Sequence, residues 1–103
     1  MSQDIYKSLL SQAEAYSLSA SKNFDLEGIR FNIIKWVSES ILFFENEFPN
    51  TKILENLYEA KDDAINLEKD AVIKIAGILA GAESILNERK EILDGFEFDK
   101  LNS

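Results

Sequence analysis

The chain has 103 residues, 46% of them hydrophobic and 29% charged, with a formal net charge of −8. That length and balance describe one globular domain and exclude a disordered chain. It contains no Cys and no His, which removes disulfides, thiolate chemistry, the commonest general base and the commonest metal ligand.

The chain opens Met1-Ser2-Gln3-Asp4, with neither a basic nor an apolar leader segment, so no signal peptide is read. The first helix is predicted from Ser2 or Asp4 to Ser21. Its apolar face is Ile5, Leu9, Ala13 (or Gln12), Tyr16 and Ala20, at i, i+3, i+4 spacing, and Asp4 serves its first turn. The Ser- and Asn-rich stretch from Ser17 to Asn23 then competes with helical backbone bonds, so a loop is predicted near Lys22 to Phe24.

Asp25 caps a second predicted helix reaching Glu47, with Gly28 in its first turn and Leu26, Ile29, Ile33, Trp36, Val37, Ile41 and Phe44 facing inward. Trp36, Phe43, Phe44 and Phe48 enrich this helix in aromatic residues. Successive residues turn by about 100°, so adjacent Phe43 and Phe44 are not expected to share one core centre. The core reading of these aromatics is preferred to a partner-binding one, which interface statistics for aromatic residues keep open. Phe48-Pro49-Asn50-Thr51 is the clearest break, because proline lacks the backbone donor and disfavours helix in the residue before it. Asn50 or Thr51 caps the next helix.

From Thr51 to Asp94 there is no proline, and the only glycines are Gly77 and Gly81. Two apolar columns repeat every seven residues here. One is Leu57, Ala64, Ala71, Ile78, Ile85 and Ile92; the other is Tyr58, Ile65, Val72, Leu79, Leu86 and Leu93. An unbroken helix over this stretch would be about 65 Å long. Charges at Lys61, Glu68 and Arg89 interrupt the stripe, and the segment between Asp62 and Asp70 is its most polar part. A kink or loop there gives a four-helix bundle, the form favoured for a monomer; a dimer favours one continuous helix. Asp94-Gly95 is the predicted stop. The domain is thus residues 1–95, followed by a short acidic, aromatic tail at 96–103 that carries Phe96 and Phe98.

Each candidate chemistry has an ordinary structural explanation. Glu55, Glu59 and Asp62 share a helical face, as do Glu88, Glu91 and Asp94. A di-iron bundle needs Glu-x-x-His pairs, and no second acidic motif is spaced to complete a magnesium site, so no metal or other cofactor is expected. The serines lack a His to activate them, so no catalytic residue is assigned and the protein is read as not an enzyme. Gly77-Ile78-Leu79-Ala80-Gly81 has the spacing of a close helix–helix contact, and is not followed by the Lys-Ser/Thr of a phosphate loop. The packed helix could be internal or belong to a second subunit. The longest uncharged apolar stretch, Ala76 to Ala82, falls far short of the roughly 20 residues of a membrane span.

Two family resemblances arise. Size, acidity and the central break are similar to the small helical hairpins exported by type VII secretion, but those carry Trp-x-Gly where this chain has Phe48-Pro49-Asn50, and the likeness is set aside. The order Leu9-Leu10, Trp36, Phe48-Pro49-Asn50-Thr51, Gly77-Ile78-Leu79 and Ile92-Leu93-Asp94-Gly95 resembles the small helical accessory module of bacterial anti-phage defence proteins. This implies an accessory or oligomerising role and transfers no catalytic residue.

The expectation is therefore an all-α, antiparallel bundle of three to four helices, cytoplasmic, that binds a protein partner or itself as a homo-oligomer. Neither nucleic acid, whose phosphates repel this charge, nor membrane is an expected partner. The candidate contact residues are Trp36, Phe43, Phe44, Phe48, Gly77, Gly81, Phe96 and Phe98. The alternative is an acidic inhibitor or immunity-type protein that neutralises a basic enzyme or nucleic-acid-binding protein.

Overall fold

The computed structural model describes residues 2–102, with side chains described for residues 4–86. Four helices are present among the described residues, and no strand: α1 (Ser2–Ser21), α2 (Arg30–Glu47), α3 (Lys52–Ile65) and α4 (Lys69–Asn102), with a 3₁₀ turn, Leu26–Ile29, ahead of α2. This is the predicted all-α bundle, in its four-helix form. Each helix packs on its neighbour in the chain and α4 lies against α1, closing the bundle as a ring of four seams.

The three breaks share one backbone device. Asn23, Asn50 and Leu67 have φ of 59°, 61° and 64°, the left-handed conformation that reverses a chain after a helix. After α1, the Phe24 amide donates to the Ser19 carbonyl at 3.0 Å and the Asn23 amide to the Ala20 carbonyl at 3.2 Å. After α3, Glu68 donates to Asp63 at 3.0 Å and Leu67 to Ala64 at 2.9 Å. Both are Schellman closures, in which the last helical carbonyls find donors. The third break thus falls within the polar segment singled out between Asp62 and Asp70, at Asn66–Glu68. It centres on a leucine, which pays more for a positive φ than asparagine does.

Caps complete the ends. The Asp25 side chain accepts from the Glu27 amide at 3.0 Å, so it caps the 3₁₀ turn rather than an α-helix, and α2 begins only at Arg30. Thr51 caps α3: its hydroxyl oxygen accepts from the Leu54 amide at 3.3 Å and its proton goes to the Phe48 carbonyl at 2.7 Å. α4 runs past Asp94-Gly95, where a stop was predicted. A helical glycine costs only about 1 kcal/mol relative to alanine, too little to end a helix without a left-handed closure.

The core takes its buried aromatic residues mostly from α2, and combines large aliphatic side chains with alanines from the helices around it. Ile33, Trp36, Val37, Phe44, Leu57, Val72, Ile75 and Leu79 are fully buried. Ala13 and Ala20 of α1, Ala60 and Ala64 of α3, and Ala71, Ala76 and Ala82 of α4 are buried too. Alanine lets helix axes approach, and α4 accordingly sits tightly against both α1 and α3. The α1–α2 seam is the most open of the four. Aromatic side chains span it: Tyr6 meets Phe43 with ring centroids 5.8 Å apart, and Tyr16 meets Trp36 edge-on at 5.2 Å.

The break also divides the seven-residue columns. In α3 the first column is buried, at Leu57 and Ala64, while Tyr58 is exposed. In α4 the second column is buried, at Val72 and Leu79, and the first emerges until Ile85 is exposed. The turn at Leu67 resets the angular phase between the helices, and a 3.6-residue helix drifts about 20° per seven residues against such a column.

Candidate functional site

No group of three or more His, Cys, Asp or Glu side chains is placed to hold a metal ion among the described residues. No helix in the same range is long and apolar enough to cross a membrane. What the described residues offer instead is surface: grooves and a set of exposed apolar side chains.

The aromatic candidates of α2 belong to the interior. Trp36 and Phe44 are fully buried, and Phe43 and Phe48 nearly so. The indole Nε1 of Trp36 donates to the Leu9 carbonyl of α1 at 3.0 Å. Phe43 and Phe44 are both buried without facing the same way, because α2 is flanked by two helices, so neither is left at a boundary. Phe43 turns to Tyr6 of α1, and Phe44 stacks at a tilt on Phe48 with centroids 5.4 Å apart. All four aromatics are committed to packing within the chain and present almost no free area. Phe96 and Phe98, like the second acidic triplet Glu88, Glu91 and Asp94, have side chains outside the described residues.

The glycine pair behaves differently. Gly77 and Gly81 are exposed, and a methyl group added at either would find nothing within 4 Å. The close internal helix contact is therefore not made, and the helices that do pack on α4 use its alanines. Gly77 borders a groove of about 280 Å³ between α1 and α4, together with Leu10, Ala13, Ile73, Ala76 and Ala80. Ala80 and Ser84 extend the exposed small-residue strip, and exposed Ile73 and Ile85 stand at its ends. Glu14 and Glu83 border this groove or strip as well.

A larger groove, about 530 Å³, lies along the α1–α2 seam and is lined by Ile5, Glu39, Leu42, Phe43, Asn46 and Glu47. Ile5 is 54% exposed and Leu42 60%. Ile5 was expected in the core; the buried residue of that turn is Tyr6, whose hydroxyl donates to the Leu79 carbonyl of the adjoining α4. Only the first turn of α1 departs from the expected face, since Leu9, Ala13 and Ala20 are buried as expected, and Ile5 is left exposed beside α2. Burial, and secondarily the Glu83 carboxylate, push the Tyr6 pKa up to about 12, so this hydroxyl remains a donor far above neutrality. At the same seam, Tyr16 is raised by burial and then by Glu39.

Ile5 and Leu42 were missed among the sequence candidates. The signal was present in Ile41-Leu42-Phe43-Phe44, four large apolar residues in succession on a helix, at least one of which must face outward. A third depression, about 380 Å³, sits where the first and third breaks meet, among Asn23, Phe24, Asp25, Leu26, Glu27, Asn66, Leu67 and Lys69. Most of its polar side chains already have partners. Lys69 Nζ donates to Asn23 Oδ1 at 3.1 Å, Asp25 caps the 3₁₀ turn, and Glu27 pairs with Arg30 at 3.4 Å.

No protein-family model, no curated protein and no solved structure matches this chain.

Proposed function

We propose that the protein is a non-enzymatic interaction module of the cytoplasm that associates with itself through the outer face of α4. The observation that supports this most is the pair Gly77 and Gly81. Glycine inside a helix costs roughly 0.5–1 kcal/mol relative to alanine, and no contact within the chain requires it at either position. A second helix laid over Gly77, Ala80, Gly81 and Ser84 would approach closely enough to use the missing side chains, with Ile73 and Ile85 gripping either end. A two-fold arrangement would repeat that contact on both copies. An accessory role beside an effector domain, as in the anti-phage defence module that the sequence resembles, is compatible with such a device and is part of this proposal.

Light scattering at high micromolar concentration tests it. The expected mass is twice the 11.7 kDa of the chain, reduced to the monomer by Gly77→Leu with Gly81→Leu. A wild-type protein that stays monomeric overturns the reading.

A second reading, an acidic inhibitor or immunity-type protein acting on a basic enzyme or nucleic-acid-binding protein, is favoured by a separate observation. Carboxylates, Glu39 and Glu47, border a predominantly apolar groove of about 530 Å³ between α1 and α2. It predicts binding to a basic partner that weakens steeply with salt.

A further inference from the structure

We infer that the α1–α2 groove receives a basic amphipathic helix of a partner protein, seated on Ile5 and Leu42 and held at its edges by carboxylates. This rests on the second reading above and specifies its site and the shape of its ligand.

The groove follows from the packing. Tyr6, Tyr16, Trp36 and Phe43 hold α1 and α2 apart on the inside, so the outer edge of the seam stays open. Phe43 forms part of its lining, and Ile5 and Leu42, each more than half exposed, stand beside it. Two antiparallel helices with an open seam offer a trough parallel to their axes. The matching ligand is another helix, with apolar residues at i, i+3 or i+4, and i+7.

Charge selects among helices. Glu39 and Glu47 line the trough, and exposed Asp4 lies at the start of α1. The basic residue nearest Ile5 in sequence, Lys7, is two positions on, about 200° around the helix, and so faces away from the trough. On α2 the nearby base is Lys35, 3.9 Å from Glu39 in an exposed pair, which contributes little and is readily exchanged for an incoming cation. A second copy of this chain would bring a further −8 of charge to an acidic edge. An anionic lipid surface would be repelled for the same reason. A helix carrying Lys or Arg beside its apolar face satisfies both the trough and its rim.

The test uses a synthetic helical peptide of about 14 residues, two heptads, composed of Leu on one face and Lys on the other. The control peptide replaces every Lys with Glu. Binding is measured by calorimetry and located from amide shifts in NMR spectra of the full chain. The Lys peptide is expected to bind and to shift α1 and α2 amides around Ile5 and Leu42, with affinity falling as salt rises; the Glu peptide is expected not to bind.

The deciding variant is Leu42→Glu, with Ile5→Glu as its counterpart on α1. Both residues are exposed, so circular dichroism should be unchanged. Each variant makes the protein more acidic, so undirected attraction predicts equal or tighter binding, whereas seating in the groove predicts at least about tenfold weaker binding. Glu39→Lys combined with Glu47→Lys should weaken it as well. Unchanged or tighter binding by Leu42→Glu overturns the groove while leaving the basic-partner reading standing. Failure of the Lys peptide to bind anywhere removes that reading too. Equal binding of the two peptides, or shifts at Ile5 and Leu42 that depend on protein concentration without peptide, would also overturn it, the latter assigning the groove to a second copy.

Discussion

Buried polar groups separate side chains that hold the bundle together from one that does not. Trp36 and Tyr6 each carry a polar atom into the core and place it on a backbone carbonyl of another helix, Leu9 and Leu79 respectively. Ser40 is also fully buried, yet its hydroxyl has no hydrogen-bond partner. A buried donor left unpaired costs about 1–3 kcal/mol, so Ser40→Ala should leave the protein as stable or up to about 1 kcal/mol more so in urea titrations. Tyr6→Phe should lose about 1 kcal/mol at neutral pH. The same variant isolates a pH effect. Unfolded tyrosine ionises near 10.0, while folded Tyr6 holds its proton to about 12. Between those values the unfolded state binds fewer protons, so stability falls as pH rises across that window. Melting curves from pH 9 upward should decline less steeply in Tyr6→Phe than in the wild type.

Helix ends and helix faces obey different constraints. Ends are local: Thr51 accepts from Leu54 and donates to Phe48 within a few residues, and Thr51→Ala should destabilise by about 1 kcal/mol through the lost cap. Faces depend on what packs there. At Gly77 and Gly81 the helix is exposed and open, so in the monomer each change to alanine should stabilise by roughly 0.5–1 kcal/mol. Thermal unfolding at low protein concentration, where association is suppressed, is the measurement. Loss of stability in both variants would mean that these glycines serve a contact within the chain.

For the molecule as a whole, an aromatic-rich α2 and alanine-lined neighbours set the shape of the surface. Tight seams flank α4 and an open one separates α1 from α2. The two faces proposed for binding lie on either side of α1, one made of small residues and one an acid-edged apolar trough. Self-association and capture of a basic helix can therefore be measured independently. Salt separates them further: each copy carries a net charge of −8, so added salt should favour the dimer by screening that repulsion, and should weaken a complex with a basic helix.

The helical class, the break at Phe48-Pro49-Asn50-Thr51, the cap at Thr51, and the core roles of Ile33, Trp36 and Val37 are determined by the sequence alone. Each rests on interactions within a few residues or on a helical period. The site was less legible. Whether Ile5 or Tyr6 turned inward was decided by a carbonyl on a helix more than seventy residues away, at Leu79. Whether Gly77 and Gly81 met an internal neighbour depended on α1 and α3 packing against the alanines of α4 instead. The division of the Leu57–Leu93 stripe into two helices turned on Leu67 adopting a positive φ, which a leucine does not announce and which the Schellman closure after α3 holds in place. Local chemistry specifies helices and their ends. Which face each helix leaves to solvent, and so where a partner can bind, is a property of four helices packed together.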